Sequence, residues 1–116
     1  MLKSDPNYPV RVELAKVEQV LHWFSQRMHF KFMVHAKKKF WREEEGFDQY
    51  VAFARLKQET EELKRAMADY YFFPNKDHAE AVIHECADVA NFALMIADFT
   101  YVGQEDDESG TIDGKG

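Results

Sequence analysis

Between Pro9 and Gly46, and again between Gly46 and Pro74, the chain contains neither proline nor glycine, and after Pro74 the next glycine is Gly103. Three long stretches are therefore free of the two residues that most readily break a helix. In the first, Val10, Leu14, Val17, Leu21, Phe24 and Met28 recur at steps of four and three with charged residues between them, which predicts an amphipathic helix. That helix is expected to run on through Phe32 and His35 towards Phe40, with Ser25 as the place for a bend. Pro6 and Pro9 mark residues 1–9 as an irregular arm. The stretch from Trp41 to Gln49 reads as a connection, with Gly46 as breaker and Asp48 as N-cap of a second helix from about Gln49 to Tyr71. Phe53, Leu56, Thr60, Leu63 and Met67 give that helix a core stripe. Pro74 and Asn75 close it, Asp77 can cap a third, and Ala79 to about Tyr101 is rich in strong helix formers. No strand is needed. The expected organisation is an all-α single domain over residues 1–102, followed by a flexible acidic, glycine-containing tail over 103–116.

With 46% hydrophobic residues, including ten Phe, five Tyr and two Trp, the 116-residue chain has ample material for one core. Apolar residues fall on more than one face of these helices, Phe72, Phe73, Phe92 and Phe99 among them, so self-association is expected. A net charge of −6 argues against binding long nucleic acid, which rests on neutralising phosphates with Lys and Arg. A small phosphorylated ligand held through a metal stays compatible with that charge. The N-terminal MLKSDPNYP has no apolar signal core, and the longest apolar-rich run, Val89 to Ala97, contains Asn91 and falls short of the roughly 20 residues of a membrane span. A cytoplasmic protein with no membrane partner is the expectation. Cys86 is the only cysteine and reads as a small buried thiol rather than a reactive one.

Two carboxylate pairs carry the chemistry: Glu59 with Glu62 on the second helix, and Glu85 with Asp88 on the third, each three residues apart. Residues at that spacing share a helix face, so two adjacent helices can bring four carboxylates to one point. Glu85 and Asp88 interrupt the stripe Ala81, Phe92, Met95, Phe99, and Glu59 lies between Leu56 and Leu63. Acids on helices are most often solvated surface, and Glu61 reads as such. A bare acid cluster on a core-facing stripe, by contrast, costs several kcal/mol unless a hard cation relieves it. Mg²⁺ is the expected ion and Mn²⁺ the alternative, because the ligands are all oxygen. Glu62 also belongs to the polar face of Arg55, Gln58, Arg65 and Asp69, which puts it at the rim. A di-iron bundle would need Glu-x-x-His elements, and none of His22, His29, His35, His78 and His84 follows a Glu by three residues. The histidines read as surface or boundary residues, with His35 within reach of a ligand. Glycine-rich phosphate loops are absent.

Glu-x-x-Glu followed by Glu-x-x-Asp, in the settings LKQETEEL (residues 56–63) and ECADVAN (residues 85–91), resembles the MazG-like all-alpha nucleoside triphosphate pyrophosphohydrolase superfamily. The resemblance spans roughly residues 30–101. It implies an antiparallel helical bundle completed as a homodimer or a dimer of dimers, and cleavage of a (deoxy)nucleoside triphosphate between the alpha and beta phosphates. By this likeness Glu59, Glu62, Glu85 and Asp88 are Mg²⁺ ligands, and Glu59 or Glu62 also orients or deprotonates the attacking water. Asn91 would hydrogen-bond sugar or phosphate, its other reading being a satisfied polar group inside a bundle. Phe40, Trp41 and Phe47 would stack the base, although aromatics at such spacing also serve as plain core. Lys37, Lys38, Lys39 and Arg42 are the concentrated positive charge available to a triphosphate, or else a solvated basic face. The tail offers no fourth helix after Tyr101, a departure from fuller members for which the long first helix would compensate. Phosphoribosyl-ATP pyrophosphohydrolase shares the acid arrangement but not the long aromatic first helix, and a non-catalytic helical interaction module is the rival of a different class.

Overall fold

A computed structural model describes the backbone of residues 6–34 and 40–114, and the side chains of these apart from Tyr8 and those from residue 105 onward. The elements are α1 (Tyr8–Val34), a short 3-10 turn (Trp41–Glu43), α2 (Gln49–Phe72) and α3 (Lys76–Gly114), with no strand among the described residues. The expected all-α class is thus what the chain adopts. Helix α1 begins inside the stretch expected to be an irregular arm: Pro9 lies in its first turn, where the missing N–H costs nothing.

Asp48 caps α2 as expected, its Oδ1 accepting from the backbone N–H of Tyr50 at 3.0 Å and of Val51 at 2.9 Å. Gly46, at φ 79°, makes the turn before it. The start of α3 differs from expectation. Asn75, not Asp77, supplies the cap, Oδ1 accepting from His78 N–H at 2.8 Å, and the helix starts at Lys76. Its backbone also continues in helical form to Gly114, past the end expected near Tyr101 and through the stretch expected as a flexible tail. That tail carries no proline to stop a helix once started.

Helices α2 and α3 pack along one another in antiparallel sense. Thr100 Oγ1 donates to Gln49 Oε1 at 3.4 Å, the Arg55 guanidinium lies over the Phe92 ring at 5.1 Å, and Glu59 meets Glu85 and Asp88. Small residues make the approach close on the α2 side, where Ala52 and Ala66 are buried; Ala87 of α3, the other buried hydrophobic residue among those described, shares the face of Glu80 and Asn91 that meets α1. The inward stripe of α2 is therefore Ala52, Leu56, Glu59, Leu63 and Ala66, which keeps Leu56 and Leu63 of the expected stripe and replaces its other three members. Phe53 and Met67 stand more than half exposed, and Thr60 points outward with its hydroxyl returned to the Leu56 carbonyl. Alanine won these positions because no bulky side chain fits between closely packed helices.

Helix α1 meets α3 rather than α2, and does so through its C-terminal third, where Phe24, Arg27, Met28, Lys31 and Phe32 are partly covered. Arg27 Nη1 donates to Glu80 Oε2 at 2.9 Å across this contact. Upstream, Val10, Leu14, Val17, Val20 and Leu21 are each more than half exposed. The radius of gyration of 19.3 Å is well above the roughly 13 Å of a compact domain of this length.

Candidate metal centre

The sequence puts Glu59 on the inward stripe of α2, and Glu85 and Asp88 one turn apart on the face of α3 that meets it. Their carboxylate oxygens lie within 4.8 Å of one another. Glu59 is 9% exposed, and its Oε2, like Oε2 of Glu85, is buried with no hydrogen-bond partner. Such orphaned oxygens are uncommon in folded proteins, and when they converge they point to a ligand that supplies positive charge. The set fits a hard divalent cation: three carboxylates and no sulfur or imidazole within the group.

Electrostatics follow from this crowding. The Glu59 carboxyl is pushed up to about 7, first by burial, then by the neighbouring Glu62 carboxyl, then by the negative charges of Asp88, Glu62 and Glu85. Glu85 is raised as well, by burial and by Asp88 and Glu62, against the opposing pull of Lys31 and of the neighbouring Glu59 carboxyl. Lys31, from α1, places Nζ 3.3 Å from Asp88 Oδ2. Arg55 Nη2 stands 3.9 Å from Glu59 Oε1. Glu62 is exposed and outside the convergent group, but it is felt by both Glu59 and Glu85. The structure therefore brings three of the four acids to one point and leaves Glu62 at the rim.

Beside the acids opens a cleft of about 560 Å³. Its apolar wall is made by Phe32, Phe40, Trp41, Phe47, Phe92 and Met95, and its polar wall by His29, Lys31, Glu44, Arg55, Glu59, Asp88 and Asn91. Trp41 stacks on Phe32 with ring centroids 5.4 Å apart and lies 4.7 Å from Phe40. Asp98 of α3 anchors that wall, accepting from Trp41 Nε1 at 2.8 Å and from Arg42 Nε at 2.7 Å. These partners, Arg42 foremost, hold the Asp98 carboxyl down at about 2. Arg42 is thus engaged by Asp98 rather than standing as part of a free basic face. Asn91 is 5% exposed; its Nδ2 donates to the Met28 carbonyl at 3.2 Å and its Oδ1 has no partner. A carbonyl can only accept, so the amide orientation is fixed and Asn91 keeps an acceptor unused.

Of the residues expected to bind substrate, Asn91, Trp41 and Phe47, with Phe40, line this cleft. Lys38 and Lys39, together with His35 and Lys37, lie outside the described residues. Lys31, Arg55 and Phe32 were not anticipated. Lys31 had a signal: the four- and three-residue steps through Phe24 and Met28 land next on position 31, where a lysine stands on an apolar stripe. Cys86 is half-buried, and burial and the Glu85 charge push its thiol up, as suits an unreactive cysteine.

No protein-family model, curated protein or solved structure matches the chain. The acid pairs and their cleft carry the functional argument alone.

Proposed function

We propose that the chain is a Mg²⁺-dependent nucleoside triphosphate pyrophosphohydrolase of the MazG-like kind, with Mn²⁺ as the alternative ion. The observation that carries this reading is the convergence of Glu59, Glu85 and Asp88, with two orphaned carboxylate oxygens, at the edge of an aromatic cleft. Bound there, the cation would neutralise charge on the phosphates. Glu59, Glu85 and Asp88 would hold it, with Glu62 at the rim.

The remaining chemistry falls to this chain's own residues. Glu59 or Glu62, the latter at the exposed rim outside the convergent group, would orient or deprotonate the attacking water. Water oxygen bonds to phosphorus of the alpha–beta anhydride, its proton passes to the carboxylate, and the bridging oxygen leaves with the bonding pair. The products are a nucleoside monophosphate and pyrophosphate. Phe32, Trp41, Phe47 and Phe92 provide flat apolar surface for the base. Asn91 offers Oδ1 as an acceptor, which suits a sugar hydroxyl or a base N–H and not a phosphate oxygen. Removal of surplus or unwanted nucleotides in the cytoplasm is the role we assign.

A second copy of the chain is the partner we propose for the exposed apolar half of α1, giving a homodimer or a dimer of dimers. The test of the activity is a panel of common and modified nucleoside triphosphates assayed for pyrophosphate release with Mg²⁺, with Mn²⁺ and with chelator. Release from at least one triphosphate, dependent on metal, is expected. Absence of release across the panel, with no calorimetric binding of Mg²⁺, would leave a helical interaction module in place of an enzyme.

A further inference from the structure

The acids of the cleft already have cations of the protein's own beside them, Lys31 and Arg55. Lys31 reaches from α1 to Asp88, and both side chains are about four-fifths covered, at 19% and 20% exposure. Its charge also acts on Glu85. The other cation near the group, Arg55, is more exposed at 45%, sits further from its carboxylate, and rests on the ring of Phe92. Lys31 is therefore the main internal counter-charge to Asp88, one of three acids whose ligand atoms converge.

An ammonium and a dication cannot both be held close to Asp88 at no cost, because like charges a few ångströms apart repel. The lysine is the movable partner, a compact charge on a flexible four-carbon stem. It also lines the cleft, on the same wall as Asp88 and Asn91. An anionic group lying against the metal would present its oxygens within the space open to that stem.

We infer that Lys31 is an exchangeable counter-ion: it pairs with Asp88 while no metal is bound, is displaced from it by a divalent cation, and then pairs with phosphate oxygens of the ligand. This rests on the reading of the cleft as a metal and phosphate site, and it adds an order to the binding. Without metal, Lys31 is engaged and Glu59, Glu85 and Asp88 repel phosphate. With metal, the same lysine becomes a phosphate contact, so metal binding opens the cleft to anions.

Calorimetric titration of the metal-free protein with Mg²⁺, then of the Mg²⁺-loaded protein with inorganic tripolyphosphate, tests this in wild type and in Lys31→Met. The variant should bind Mg²⁺ about 5-fold more tightly, having lost the competitor, and tripolyphosphate roughly 10-fold more weakly. A purely structural lysine would leave tripolyphosphate binding unchanged, and that result overturns the inference. So does an unchanged or weaker Mg²⁺ affinity. Should Lys31→Met fail to fold, acetylation of wild-type Lys31 by acetic anhydride, read by mass spectrometry, gives the answer: labelling should rise on adding Mg²⁺ and fall on adding tripolyphosphate. Labelling indifferent to both overturns the exchange. Wild type that binds no Mg²⁺ removes this inference and the proposed function together, whereas binding as described in a protein that hydrolyses no triphosphate supports the exchange and removes only the reaction.

Discussion

Trp41 and Asp98 are joined by a hydrogen bond of 2.8 Å from the indole Nε1–H to Oδ2, across 57 positions of sequence. The bond ties the connection between α1 and α2 to the far part of α3, and with it the aromatic wall of the cleft. Because the same carboxylate also holds Arg42, Asp98 positions two side chains of the loop at once.

Asp98→Ala should therefore loosen the loop while leaving the helices intact. A charged hydrogen-bonded cluster of this kind contributes about 1.5–3 kcal/mol, and the lower part of that range applies because Arg42 is partly exposed. A lower melting temperature with unchanged helical circular dichroism is expected, together with a shift in Trp41 emission that is absent in Trp41→Phe. The Asp98 carboxyl is held down at about 2, so its contribution is full above its ordinary range near 3.8 and fades as pH falls towards 2.

Glu59 gives the opposite pH dependence. Its carboxyl is raised from 4.5 to about 7 in the folded protein, so the folded state holds the proton more firmly than the unfolded chain. Stability from this group is complete below about 4.5, declines as pH rises between 4.5 and 7, and is lost above. Melting of the metal-free protein should fall across that window, and the fall should be smaller in Glu59→Gln, where the raised Glu85 carboxyl remains. Saturating Mg²⁺ should flatten or reverse it, since the cation binds the ionised carboxylates. A metal-free melting temperature that is flat from pH 4.5 to 7 would contradict the crowding of these acids.

Much of this arrangement was legible in the sequence, for specific reasons. Long stretches without proline or glycine gave the helices, and the Asp48 cap was visible because Asp before a helical pattern has a backbone N–H to satisfy. Glu59, Glu85 and Asp88 could be placed on inward faces because charge on an apolar stripe is conspicuous. What was hidden depends on packing. The inward stripe of α2 follows Ala52 and Ala66, while Phe53 and Met67 look outward, because the separation of two helices is not written in either one alone. The engagement of Lys31 with Asp88 joins positions 57 residues apart, and periodicity says nothing about which charge will face another across elements.

Ala87 is fully buried on α3. Ala87→Leu should force the helices apart or push a side chain from its rotamer, at a cost of about 1–3 kcal/mol in thermal or urea unfolding. Replacing the exposed Ala81 in the same way should change stability by less than about 0.5 kcal/mol. Equal effects at the two sites would mean that α3 does not approach its neighbours at Ala87.

The exposed residues of α1 make a prediction about assembly. Val10, Leu14, Val17, Val20 and Leu21 form a continuous apolar stripe that is more than half exposed. Light scattering behind size exclusion should give a dimer or tetramer at micromolar concentration. Leu14→Lys with Leu21→Lys should shift it towards monomer and expose dye-binding apolar surface. A stable wild-type monomer would refute the assignment of a second copy to this face.

The sharpest expectation concerns the acids. Glu85→Gln and Asp88→Asn should each remove a carboxylate from a group whose ligand atoms lie within 4.8 Å, so each relieves repulsion in the metal-free protein. Glu85→Gln should therefore raise the metal-free melting temperature. Asp88→Asn should do so less, because it also leaves the Lys31 ammonium without its partner in a mostly covered position. Both should lose the stabilisation that Mg²⁺ gives wild type, and both should lower pyrophosphate release by at least about 100-fold if the cation neutralises charge in the reaction. Glu62→Gln, at the exposed rim, should keep most Mg²⁺-induced stabilisation while losing turnover if it helps to orient water. Glu61→Gln, on the exposed face of α2, should match wild type in every measurement. Opposed signs between metal-free stability and Mg²⁺ response are what distinguish a shared cation site from surface charge, which would alter neither. Retained Mg²⁺ stabilisation and turnover in both Glu85→Gln and Asp88→Asn would refute the metal centre.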